Sequence, residues 1–205
     1  MCRSAARRIR RWAAPVLLAL LLACGRGAAA AETYTIDQRF GDITFTVHHL
    51  GLFDSSGTFR RFTGQLTVDE AHPGNTQIAV VIDTDSVAMT WAEATSMLRS
   101  AAYFDVSEFK VARFTSSRVL ALSPGHYEID GALELRGVTQ PVVLQAALLG
   151  RHAGDKAGEE IADFVVTGAL SRLRYGMTAD QSFVSDRVDL RINARVRLTA
   201  ASHGG

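Results

Sequence analysis

Val188-Asp189-Leu190-Arg191-Ile192-Asn193-Ala194-Arg195-Val196-Arg197-Leu198 puts an apolar side chain at every second position. The residues between them are charged or carry an amide. Successive side chains leave a pleated strand on opposite faces, so this stretch reads as a strand with one dry face and one wet face. Working outward, the same code recurs at Tyr127, Ile129, Gly131, Leu133 and Leu135, set against Glu128, Asp130, Glu134 and Arg136. Ile43, Phe45 and Val47 alternate with Thr44, Thr46 and His48, and Phe62, Gly64, Leu66 and Val68 form another series. Phe59 has the opposite parity to Phe62, which predicts a bulge near Arg60-Arg61. Further strands are expected over residues 76–84, 109–121, 138–149 and 161–171.

Turn signals separate these runs. They are Pro73-Gly74-Asn75, Pro124-Gly125 and the stretch from Gly150 to Gly158, and Ser55-Ser56-Gly57 reads as a further turn. One helix interrupts the series. Thr90-Trp91-Ala92-Glu93 has the spacing of a capping box, predicting a helix from Trp91 to Ser100 with Trp91, Ala94, Met97 and Leu98 on one face. The fold expected is all-β, an eight-stranded antiparallel barrel with one short helix. Closure removes the exposed edges that such strands would otherwise present. A sandwich is the alternative. Eight strands leave an interior just wide enough for side chains or one small ligand. Gly64, Gly131, Gly168 and Ala194, on inward faces, either hollow that interior or relieve crowding at bends.

Residues 1–31 read as targeting rather than fold. Arginines precede a short apolar run from Val16 to Ala23, too short to span a bilayer, and Ala28 to Ala31 offer Ala-x-Ala cleavage. Leu21-Leu22-Ala23-Cys24 also fits a lipobox, in which a lipidated Cys24 would hold the protein at a membrane. Both cut sites, after Ala31 and before Cys24, stay open. The expected layout is a signal peptide at 1–31, a domain at 32–200 and a tail at 201–205, in an exported, periplasmic protein. Removing Arg3, Arg7, Arg8, Arg10, Arg11 and Arg26 takes the formal net charge from +1 to −5, which argues against nucleic acid. The only cysteines are Cys2 and Cys24, so the domain holds no disulfide and no thiol nucleophile.

Signals for covalent chemistry are missing. No Gly-x-Ser-x-Gly elbow, phosphate loop or dinucleotide fingerprint occurs. His48 and His49 are adjacent and would face opposite ways on a strand, so a shared metal is not expected, and His48 reads as a hydrogen bond at the barrel rim. Asp83 and Asp85 read as paired carboxylates or as a turn around Asp85-Ser86, the turn being favoured. Arg60 and Arg61 read as a solvated strand edge or a phosphate contact.

Several ordered motifs resemble the YceI-like family. They are Tyr34-Thr35-Ile36-Asp37; Ile43-Thr44-Phe45-Thr46-Val47-His48-His49-Leu50-Gly51; Gly57-Thr58-Phe59; Leu98-Arg99-Ser100 with Phe104-Asp105-Val106; Gly131 through Val142; Arg172 with Tyr175-Gly176-Met177; and Val184-Ser185-Asp186-Arg187-Val188. Together they cover nearly all of residues 33–199. The resemblance implies an exported, lipocalin-like, eight-stranded barrel with the helix near one end and a long isoprenoid chain inside. The sequence departs from the family's pattern at Phe40-Gly41, at Ala94-Thr95 with Met97 in place of a histidine, and at Lys110 in place of a proline. The helix region has thereby lost polar groups and gained apolar ones.

An isoprenoid needs a dry, aromatic-rich wall. The candidate wall residues are Phe45, Val47, Phe59, Phe62, Phe114, Tyr127, Leu133 and Leu144, with His48 as a further ligand-binding candidate. The expected ligand is a lipid of the polyisoprenoid or isoprenoid quinone type, with no cofactor, held by a carrier or chaperone; a homodimer is left open. Two rival readings are an enzyme acting on such a lipid within the barrel, and a haem-holding barrel with His48 as ligand.

Overall fold

The computed structural model describes residues 32–69, 72–156 and 158–198. The predicted signal segment and the tail at 201–205 lie outside the described residues. The strands are β1 (Glu32–Ile36), β2 (Asp42–His49), β3 (Phe53–Phe59), β4 (Phe62–Val68), β5 (Gln77–Asp83), β6 (Val87–Ala88), β7 (Val111–Ser123), β8 (His126–Leu135), β9 (Val138–Ala153), β10 (Glu160–Ser171) and β11 (Val184–Leu198). The helix α1 spans Ala92–Arg99, between β6 and β7.

These segments form eight staves. β1 and β2 both pair with β11, opposite Val196–Leu198 and Val188–Asn193 respectively. β4 pairs with β1 and β3 with β2; β5 pairs with β4 and β6 with β3. β1 with β2, β3 with β4 and β5 with β6 thus each make one long strand broken in the middle. The barrel runs on through β7, β8, β9 and β10, all antiparallel, to β11. It closes where β1 meets β11, while the β2–β3 branch ends at β6, and the sandwich reading falls.

The three breaks lie side by side and make a crease. Ser86 is its clamp. Its hydroxyl accepts the backbone N–H groups of Arg60 (3.2 Å) and Arg61 (3.0 Å) and donates to the Asp83 carbonyl (2.6 Å). The Gln38 amide reaches the Arg60 carbonyl at 2.6 Å, and the Thr84 hydroxyl donates to the Phe109 carbonyl at 2.6 Å. The parity change at Arg60-Arg61 therefore belongs to a break shared by three staves rather than to a local bulge. It lets both Phe59 and Phe62 point inward. Arg61 pairs with Asp83 at 2.8 Å on the outer surface, and Asp83 caps the Thr84–Ser86 turn.

Three expectations are corrected. Ser55-Ser56-Gly57 lies within β3, not in a turn, because Gly57 leaves space for the Phe45 ring on the neighbouring strand. β9 continues through Gly150 to Ala153, with a register shift opposite Asp163/Phe164. The capping box does not form: Trp91 is the N-cap and carries no capping side chain. Instead the Thr95 hydroxyl accepts the Met89 N–H (2.9 Å) and donates to the Trp91 carbonyl (3.1 Å).

Candidate ligand cavity

The inward side chains leave an open lumen of about 600 Å3 along the barrel. Phe45, Val47, Phe59, Phe62, Phe114, Tyr127, Leu133 and Leu144 all line it. Glycines let the largest of them lie flat against the wall. The Phe114 ring covers Gly131, and Leu144 covers Gly168, at distances that exclude a β-carbon. The small residues thus relieve crowding, and the volume they free is taken by a neighbour's side chain. Ala194 itself faces the lumen.

An aromatic cluster floors the helix end. Phe104 stands edge-on to Phe45 and Phe59, with ring centroids at 5.9 and 5.2 Å, and Phe45 lies 5.6 Å from Phe59. Above it, Trp91, Ala94, Met97 and Leu98 of the α1 segment line the lumen, as their shared face predicts. Trp91 and Met97 are also open to solvent, and so are Leu50, Leu52 and Phe53 on the β2–β3 hairpin and Phe183 before β11. These segments are neighbours: Val184 pairs with His49, and β3 pairs with β6, which leads into α1. The cavity therefore meets water through a mouth edged by exposed apolar side chains.

His48 is not part of the wall. Its parity on β2 turns it outward, where its two ring nitrogens bond Asp54 (2.6 Å) and Asp189 (2.9 Å). Both carboxylates raise its pKa, Asp189 the more. The haem reading built on His48 fails for the same reason. His49 takes the inner position instead. It lines the lumen, its ring stacks on Phe53 at 4.5 Å, and its Nε2 is buried without a hydrogen-bond partner. The alternation Ile43, Phe45, Val47 was the sequence signal that pointed to it.

Arg172, just past the end of β10, is a charged group at this end that is absent from the candidate wall residues. It is 3% exposed, and its guanidinium donates to the carbonyls of Met177 (2.8 Å), Ala179 (2.6 Å), Val184 (2.9 Å) and Ser185 (2.9 Å). It stitches the segment between β10 and β11 beneath the mouth. There the Tyr103 hydroxyl donates to the Asp180 carboxylate; burial and that bond push the phenol's pKa up to about 12. At the far end the lumen reaches Asp69, Thr76 and the Arg151–Glu160 ion pair (2.7 Å).

Among the described residues no group of three or more His, Cys, Asp or Glu side chains could hold a metal ion. The geometry is that of a deep apolar binding site with few polar contacts.

The family described as YceI-like domain matches residues 34–196. Protein YceI of Salmonella arizonae is 36% identical over 169 residues, covering 82% of this chain and 87% of that protein. Among solved structures, BcnA of Burkholderia cenocepacia superposes with a TM-score of 0.69 at 18% identity, over 78% of this chain and 98% of that one. A polyisoprenoid binding domain from Saccharophagus degradans, implicated in plant cell wall breakdown, superposes with a TM-score of 0.59 at 16% identity, over 81% of this chain and 98% of that one.

Proposed function

Because this chain belongs to the YceI-like family, we propose that it is an exported carrier that holds a long isoprenoid-type lipid in its barrel and performs no covalent chemistry. One observation carries the reading: an apolar lumen of about 600 Å3 that stays open in a closed barrel. The naming of a structural neighbour as a polyisoprenoid binding domain supports the ligand class. The export-signal pattern of residues 1–31 supports a periplasmic setting.

The energetics suit an unadorned chain. Burial contributes roughly 0.8 kcal/mol per methylene-sized group, so a five-carbon isoprene unit contributes about 4 kcal/mol. Association costs roughly 4–15 kcal/mol in lost freedom. About one to four buried units offset that cost without any hydrogen bond, and the rest of the wall supplies surplus affinity. The apolar mouth suits loading from a membrane, where the lipid resides.

The test is to purify the protein from its exporting host and measure it by native mass spectrometry, followed by solvent extraction. An apolar chain of isoprenoid mass is the expected adduct. A mass equal to the bare polypeptide after gentle purification, together with no uptake of added polyprenol, would overturn the reading.

A further inference from the structure

We infer that His49 receives the single neutral oxygen, hydroxyl or carbonyl, at the end of the bound chain, and so fixes the lipid head-outward at the helix end of the barrel. This rests on the reading of the lumen as an isoprenoid site.

The observation is a polar atom without a partner in an otherwise greasy wall. Nε2 of His49 is shielded from solvent and forms no hydrogen bond. Buried polar atoms in folded proteins nearly always have partners, and an exception on the wall of an open cavity points to a bound group there. The ring is fixed where it stands, as the last residue of β2 and stacked on Phe53 at an interplanar angle of 11°. It has the same parity as Phe45 and Val47, so it faces the lumen. Ser55, paired with Val47 across the hairpin, lines the same end. An imidazole nitrogen donates to a carbonyl or exchanges bonds with a hydroxyl, depending on which nitrogen carries the proton.

Charge decides the class of head group. A phosphate or diphosphate would need an unspent cation close by. Arg172 lines this end, and four of its five N–H donors already go to backbone carbonyls. Arg151, at the opposite end, is paired with Glu160. The same shortage of cations argues against haem, whose propionates are charged. The helix, which bears Ala94 and Met97 toward the lumen, adds no polar group. A polyprenol or an isoprenoid quinone fits this arrangement, its tail running toward the far end past Phe62 and Phe114.

The test compares three ligands of one chain length: an isoprenoid alcohol, the matching hydrocarbon and the matching monophosphate. Retention by the full protein and by His49→Leu and His49→Gln is read by native mass spectrometry. The wild type is expected to prefer the alcohol to the other two by about tenfold. His49→Leu loses that preference and keeps its hold on the hydrocarbon, while His49→Gln restores part of it. Equal discrimination in His49→Leu, or a preference for the monophosphate, overturns the assignment and leaves the carrier reading standing. Failure of the wild type to retain any of the three overturns the carrier reading itself.

Discussion

His48 and His49 stand back to back across β2, one bonded to two carboxylates in water and the other set into the cavity wall. Neighbours on a strand always diverge in this way, but here the divergence separates a surface ion pair from a side chain of the cavity wall. The outer histidine gives a pH signature. Asp189 and, secondarily, Asp54 raise the pKa of His48, and His48 in turn lowers that of Asp189. A raised histidine stabilises fully below its unfolded pKa of about 6.5 and loses that contribution as pH rises through the folded value. A lowered aspartate stabilises above about 3.9 and loses its contribution as pH falls. The cluster thus contributes most between about pH 4 and 6.5. Thermal melts should show the wild type losing its advantage over His48→Gln as pH rises from 6 to 8. Parallel profiles would mean that the ion pairs contribute nothing.

Phe62 offers the sharpest test of the wall. It is 3% exposed, faces the lumen and packs its ring edge against Gly41. Phe62→Asp introduces a charge that an apolar lumen cannot pair, so the chain's hold is lost. Lipid occupancy by native mass spectrometry should fall sharply, while Phe62→Ala retains part of it at a stability cost of about 3 kcal/mol. Unchanged occupancy in a folded Phe62→Asp variant would remove Phe62 from the ligand path.

Tyr175 predicts an effect of the opposite sign. Its side chain is 2% exposed, its hydroxyl has no hydrogen-bond partner, and burial pushes its pKa up to about 12. Deleting an unpaired buried oxygen is nearly neutral or stabilising, so Tyr175→Phe should gain between zero and about 1 kcal/mol in urea denaturation. A loss of that size would reveal a partner for the hydroxyl, such as a trapped water.

How much of this could be read beforehand follows from which interactions are local. The staves were legible because a two-sided strand writes its burial into alternate residues, as β11 does from Val188 to Leu198. The eight wall residues followed from the same parity, and so did His49, although the candidate chosen was its outward neighbour. The crease was not legible. It depends on Ser86 meeting Arg61, 25 positions away, and no local pattern records such a meeting. The α1 cap failed for a related reason: Thr90 has the right chemistry, but the helix begins after Trp91, and the stabilising hydroxyl is that of Thr95.

The crease itself makes a prediction. Ser86 is 4% exposed and its single hydroxyl serves two N–H groups and a carbonyl from two staves. Ser86→Ala takes the partner from the Arg61 N–H and leaves the Arg60 N–H only the Ser86 carbonyl at 3.3 Å, at a cost of about 1–3 kcal/mol. Hydrogen exchange should locate the loss, with the amides of Arg60 and Arg61 losing protection before those of β8 and β9. Uniform loss across the barrel would make Ser86 a mere packing residue.

Stability and loading oppose each other at the tip of the β2–β3 hairpin. The β2–β3 turn holds Leu50 at φ 50° and Gly51 at φ 72°, closed by a bond from the Leu52 N–H to the His49 carbonyl at 2.8 Å. A β-turn with positive φ at both central residues favours Asn-Gly there. For an ordinary side chain such as leucine the left-handed region costs about 1–2 kcal/mol, whereas asparagine visits it routinely. Leu50 is also exposed at the mouth. Strained backbone clusters at functional sites, and contiguous exposed apolar surface marks contact sites. Leu50→Asn should therefore raise the melting temperature, consistent with a gain of about 0.5–1 kcal/mol. The same change should slow uptake of a polyprenol from phosphatidylcholine vesicles, followed through Trp91 fluorescence, while equilibrium occupancy stays the same. Uptake at the wild-type rate by the stabilised variant would show that the apolar tip plays no part in loading.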